Sequence, residues 1–153
     1  MKKLISIIVV VCSMQFAANS QTTQDSLSIN EAVLNYIEGW YSADTVRMKN
    51  SLYPELAKRG IVPSRDGKNT VMLKATFAQM VEWTSKSPNL MQENKVLKSD
   101  FKIKIIEMGL NIADVKCVSP QYVDYLHLAR INNEWRILNA IWEPNYKEAE
   151  LQK

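Results

Sequence analysis

Histidine occurs once in the 153 residues, cysteine twice and glycine four times. These shortages remove several chemistries. So few histidines and cysteines cannot build a zinc site of the usual ligand type within one subunit, and no His-Glu-x-x-His pair exists. Gly39, Gly60, Gly67 and Gly109 stand far apart, so the chain has no glycine-rich phosphate loop and no dinucleotide fingerprint. No metal and no cofactor is expected. A Ser-His-Asp triad would have to recruit His127, and no serine stands in a nucleophile-elbow context. Charge of one sign is lacking too. The 19 basic residues face 16 acidic ones, and two of the lysines, Lys2 and Lys3, stand at the amino terminus. A near balance of scattered charges argues against nucleic acid as a partner, because phosphate binding needs a concentrated basic face.

Long apolar runs are also missing. The run from Leu4 to Val11 is well short of the roughly 18 to 20 residues that span a bilayer. Preceded by Lys2-Lys3 and followed by Ala18-Asn19-Ser20, it has the make-up of an export signal over residues 1–20, cut near Ser20/Gln21. The expected location is periplasmic or secreted, with no stable membrane anchor after cleavage. Cys117 is then the only cysteine left, so no intramolecular disulfide can form. It alternates with Ala113 and Val115, the pattern of a thiol buried in a strand.

What is present fits one domain. Residues 21–27 are polar and read as a flexible leader. Ser28 and Glu31 have capping-box spacing, and Ile29, Ala32, Val33, Tyr36, Ile37 and Trp40 then recur at helical steps, with Asn30, Glu31, Asn35 and Glu38 off the stripe. Asp44 can cap a second helix ending near Pro54, a short strand is expected around Ile61 and Val62, and another over Val71 to Leu73. Thr76 and Gln79 repeat the capping-box spacing before a third helix that stops by Pro88. From Phe101 the apolar period changes to two. Four strands follow, with turns at Gly109, Ser119-Pro120-Gln121 and Asn132-Asn133, and a polar tail over residues 144–153. Helices first and a meander last predict an α+β domain over residues 28–143.

That order resembles the nuclear transport factor 2-like superfamily, in which a cone-like, curved antiparallel sheet wraps around a long first helix, the cystatin-like arrangement. Three motifs carry a closer resemblance to its putative lumazine-binding, SnoaL-like branch: Tyr36-Ile37-Glu38-Gly39-Trp40, Leu52 to Arg59, and Asp124-Tyr125-Leu126-His127-Leu128 with Trp135-Arg136-Ile137. The second motif often resembles His-Pro in relatives, where this chain has Tyr53-Pro54. The resemblance implies a pocket for a small apolar or heterocyclic ligand and a homodimer paired through the sheet.

A two-residue turn at Asn132-Asn133 sets Leu128 against Ile137, Leu126 against Asn139 and Asp124 against Ile141. The inner face then carries Asp124, Leu126, Leu128, Trp135, Ile137, Asn139 and Ile141. The outer face carries Tyr125, His127, Leu138 and Trp142, the expected dimer face. Tyr36, Trp40, Tyr53, Trp83, Asp124, Leu126 and Asn139 form the expected ligand pocket, with polar groups set in an apolar wall. Binding without chemistry is the first reading of that set. An isomerase, cyclase or dehydratase is the second, with Asp124 as general base and Tyr36 or Tyr53 as donor to a developing oxyanion. An interaction module whose pocket is filled by its own side chains is the third.

Overall fold

A computed structural model describes residues 23–146. The expected export signal, its cleavage point and the chain beyond residue 146 lie outside the described residues. The first helix, α1, occupies residues 23–41. Ile29, Ala32, Val33, Tyr36, Ile37 and Tyr41 are buried along it, the stripe that three- and four-residue spacing turns toward a core. Residues 23–27, expected as a leader, are already helical, so Ser28 is not the cap. Asp25 explains the difference. Its buried carboxylate accepts Arg130 Nη1 at 2.9 and 3.1 Å and Trp135 Nε1 at 3.4 Å, which ties an additional turn to the last hairpin.

α2, Thr45–Ser51, opens where predicted: Asp44 Oδ1 accepts the amides of Val46 and Arg47 at 2.9 and 3.0 Å. Glu38, expected off the buried stripe, is buried because Arg47 and Lys98 both close on its carboxylate. Gly39 allows α2 to lie so near, since a Cβ there would stand 3.0 Å from the Met48 nitrogen.

β1, Leu52–Pro63, follows α2 without a loop, so the helix stops short of Pro54 and the strand is far longer than the piece expected around Ile61. Its parallel register with the last strand shifts between Leu52 and Ala57. Pro54 falls in that irregular stretch, where the absent N–H costs no ladder bond. β2, Thr70–Ala75, returns antiparallel, and α3, Phe77–Lys86, starts at the predicted Thr76–Gln79 capping box. A connection with one 3-10 turn, Lys98–Asp100, leads into β3, Lys102–Met108, β4, Ile112–Val118, β5, Tyr122–Ile131, and β6, Glu134–Pro144. The six strands form one curved, unclosed sheet in the order β2-β1-β6-β5-β4-β3. The α+β class and the meander are as expected. Leu126, Leu128, Trp135 and Ile137 are buried together on the face that receives α1.

The last hairpin departs from prediction halfway along. Asn132 and Asn133, with φ of 52 and 65°, make the expected two-residue turn, and Leu128 faces Ile137. Then Leu138 is extra: His127 faces Asn139, and Asp124 faces Trp142. A one-residue bulge exchanges the faces of everything beyond it. Asn139 and Ile141, expected inside, are exposed on the outer face. Trp142, expected on the dimer face, turns inward, and Leu138 is half-buried at the bulge. Tyr125 and His127 stay outside as predicted, with His127 Nε2 3.7 Å from Asp114. Asn145, assigned to a polar tail, is buried. Its backbone N–H donates to Gln121 and its side chain to the Ser119 carbonyl.

Candidate functional site

Residues that face one another on neighbouring strands form rows across the sheet. One row runs Leu73, Gly60, Trp142, Asp124, Cys117, Ile103, from β2 to β3 through all six strands. A cavity of about 220 Å3 lies over it, walled by Tyr36, Ile37 and Trp40 of α1, Met80 and Trp83 of α3, and Lys58, Leu73, Tyr122, Asp124 and Trp142 of the sheet. Drug-sized sites run to roughly 300–1,000 Å3, so this one suits a smaller molecule. Gly60 makes room for one wall. A Cβ at this position would overlap the indole of Trp142. Gly60→Ala is therefore expected to displace the ring and cost about 1–3 kcal/mol, the usual range for overpacking. Urea unfolding checks it, and wild-type stability in the variant contradicts this seating of Trp142.

The polar end of the cavity is a cluster of three. Tyr36 Oη and Lys58 Nζ each donate to Asp124 Oδ1 at 2.9 Å, and Lys58 Nζ also donates to Tyr36 Oη. All three residues are less than a tenth exposed. Lys58 Nζ lies 4.9 Å from the centre of the Tyr36 ring and 5.3 Å from that of Trp142, within cation–π range. Asp124 Oδ2 accepts no hydrogen bond from a described residue. Since no fully buried side-chain oxygen among those residues goes without a partner, Oδ2 is the carboxylate atom left open to the cavity. Burial first, and then the negative charge of Asp124, push the Tyr36 phenol well above its ordinary value of 10.0, so it remains a donor. Lysine and aspartate cancel, leaving the cluster without net charge.

Of the residues expected to form a ligand pocket, Tyr36, Trp40, Trp83 and Asp124 line this cavity together. Tyr53 does not: it lines a separate groove with Pro54, Phe77 and Arg136. Leu126 is fully buried in the core rather than on the wall, and Asn139 is outside. Ile37, Lys58, Leu73, Met80, Tyr122 and Trp142 are the lining residues that sequence reasoning missed. For Lys58 a signal exists, because Leu56, Lys58 and Gly60 are buried at period two, but it is readable only once β1 is known to be a strand. Cys117 is fully buried beside Asp124; burial and that charge raise its thiol to about 12, which makes it inert as a nucleophile. Among the described residues no three His, Cys, Asp or Glu side chains are grouped to hold a metal ion.

A family model described as putative lumazine-binding matches residues 24–143, a span that includes every residue of the cavity wall. The chain belongs to the putative lumazine-binding family. No curated protein matches it in sequence. In structure this lumazine-binding-family domain is similar to a nuclear transport factor 2-like protein of unknown function from Silicibacter pomeroyi, at 12% identity and a TM-score of 0.61, covering 81% of this chain and 98% of that one. A second, from Shewanella baltica, is 16% identical with a TM-score of 0.57, covering 80% and 95%. A third, from Novosphingobium aromaticivorans, has a cystatin-like fold, 12% identity and a TM-score of 0.56, covering 90% and 92%. These likenesses establish the fold of the lumazine-binding-family domain as nuclear transport factor 2-like.

Proposed function

We propose that the domain binds a small, neutral, flat ring compound in the cavity over Asp124. The observation that carries this reading is the charge-cancelled Tyr36–Lys58–Asp124 cluster at the end of an otherwise apolar, indole-walled space. Trp40, Trp83 and Trp142 offer faces for stacking, and Asp124 Oδ2 accepts a ring N–H or O–H. An ionic ligand would add a third, uncancelled charge in a desolvated place. The family name points to a heterocycle of this kind, and lumazine is the first probe to use. An isomerase would have to use Asp124 Oδ2 as its general base, since a lysine and a phenol already hold Oδ1. A filled interior is disfavoured by the cavity itself.

Export fits the Lys2-Lys3 and Ala18-Asn19-Ser20 pattern. Pairing of two copies through the outer sheet face would cover Ile112, Tyr125 and Ile141, each more than 40% exposed. Native mass spectrometry of the full chain, produced in an exporting host, reads cleavage, subunit count and retained molecule together. A shortened dimer that takes up lumazine or a neutral analogue one per subunit is the expected spectrum. Failure of every neutral ring compound to add mass would overturn the binding reading.

A further inference from the structure

Within the cavity wall Lys58 supplies the amine, and a carboxylate and a phenol both touch it. Condensation of an amine with a carbonyl needs these two partners: a base to free the nitrogen lone pair, and an acid to help the hydroxyl leave. Lys58 is 8% exposed, and the centres of the Tyr36 and Trp142 rings lie 4.9 and 5.3 Å from the nitrogen. We propose that Lys58 captures a small aromatic aldehyde as a protonated imine.

The steps balance without an oxidant or reductant. The Lys58 ammonium gives a proton to Asp124. Its lone pair attacks the carbonyl carbon as the C=O π pair moves to oxygen. Tyr36 passes its phenolic proton to that oxygen and regains one from the nitrogen, leaving a neutral carbinolamine. Asp124 returns its proton to the hydroxyl, water departs, and the nitrogen lone pair closes the C=N bond. The product iminium has the charge of the ammonium it replaces. It keeps the carboxylate as counter-ion and the same two rings beside it, so capture adds no unpaired charge to the buried site. The aromatic ring of the aldehyde takes the place assigned above to the neutral ring compound, on which reading this inference rests.

Benzaldehyde with borohydride reduction tests it on the full chain, with the modified lysines located by peptide mass. Lys58 is expected to label about 100-fold faster than Lys86 or Lys98, whose side chains are 69% and 73% exposed, because only Lys58 has an acid–base pair in place. Tyr36→Phe should slow labelling of Lys58 about tenfold by removing the proton relay, and Lys58→Met should abolish the fast phase. Benzyl alcohol, which cannot condense, reports occupancy of the same space through tryptophan fluorescence. Quenching by benzyl alcohol with Lys58 labelled no faster than the exposed lysines overturns capture and leaves the pocket reading standing. Neither quenching nor preferential labelling removes both.

Discussion

Asp124→Ala is expected to destabilise the domain by about 3–5 kcal/mol, the range for leaving one member of a buried ion pair without its partner. The loss has a specific source. Lys58 is held among Tyr36, Trp142 and Asp124 with its side chain 9% exposed, so removing the carboxylate leaves a largely buried ammonium without the charge that pairs with it. Tyr36 loses its acceptor at the same time. Replacing both charges should recover most of the stability, and Asp124→Leu combined with Lys58→Met is expected to fall within about 1 kcal/mol of wild type. A double-mutant cycle in urea, over Asp124→Leu, Lys58→Met and the two combined, separates the two cases. Single losses that simply add in the double variant would show that Asp124 and Lys58 are not energetically one unit.

The second large effect appears at alkaline pH. The Cys117 thiol is raised from 9.0 to about 12, chiefly by burial, and the Tyr41 phenol from 10.0 to about 12, again chiefly by burial. Between the ordinary and the raised value the unfolded chain has released a proton that the folded chain retains, so stability falls as pH rises. At 1.36 kcal/mol per pH unit, Cys117 accounts for about 4 kcal/mol and Tyr41 for about 3 by pH 12. Well below pH 9 both groups are protonated in the folded and the unfolded chain, and neither lowers stability there. Tyr36 and Tyr122, both raised and both chiefly by burial, steepen the fall above pH 10. Unfolding midpoints from pH 8 to 11 read the slope, and Cys117→Ala should flatten it between pH 9 and 10, before the phenols contribute. A flat profile over this range would contradict the burial of the thiol.

Local rules locate most of the elements. The Thr76–Gln79 box, the Asp44 cap, the stripe on α1 and the period-two run after Phe101 are statements about neighbours in the chain, and the structure has each of them. What was hidden depends on distant partners. The described start of α1 is held through Asp25 by Arg130 and Trp135, more than a hundred residues away. β1 gains its length by lying parallel to β6, which no pattern within residues 52 to 63 announces. The bulge at Leu138 mattered most for the site. Counting back from Asn132-Asn133 put Asn139 in the pocket and Trp142 outside it, and one additional residue reversed both. Asp124 and Tyr36 survived that slip because they lie on β5 and α1, whose inward faces were fixed by their own apolar periods. Lys58 did not emerge, since a lysine at an inward position looks like a surface residue until its counter-charge on another strand is known.

The central claim is that a charge-cancelled cluster selects a neutral ring compound. Three pyridine derivatives of nearly equal shape test it: nicotinamide, nicotinate and 3-aminomethylpyridine, titrated at pH 7 against tryptophan fluorescence. Nicotinamide carries no charge and can donate an N–H to Asp124 Oδ2, so it is expected to bind at least about tenfold more tightly than either ion, since each ion would bury a charge with no partner. Tighter binding of nicotinate would mean that Lys58 is free to serve an anion, and tighter binding of the ammonium compound that Asp124 is free to serve a cation. Either result would contradict the account.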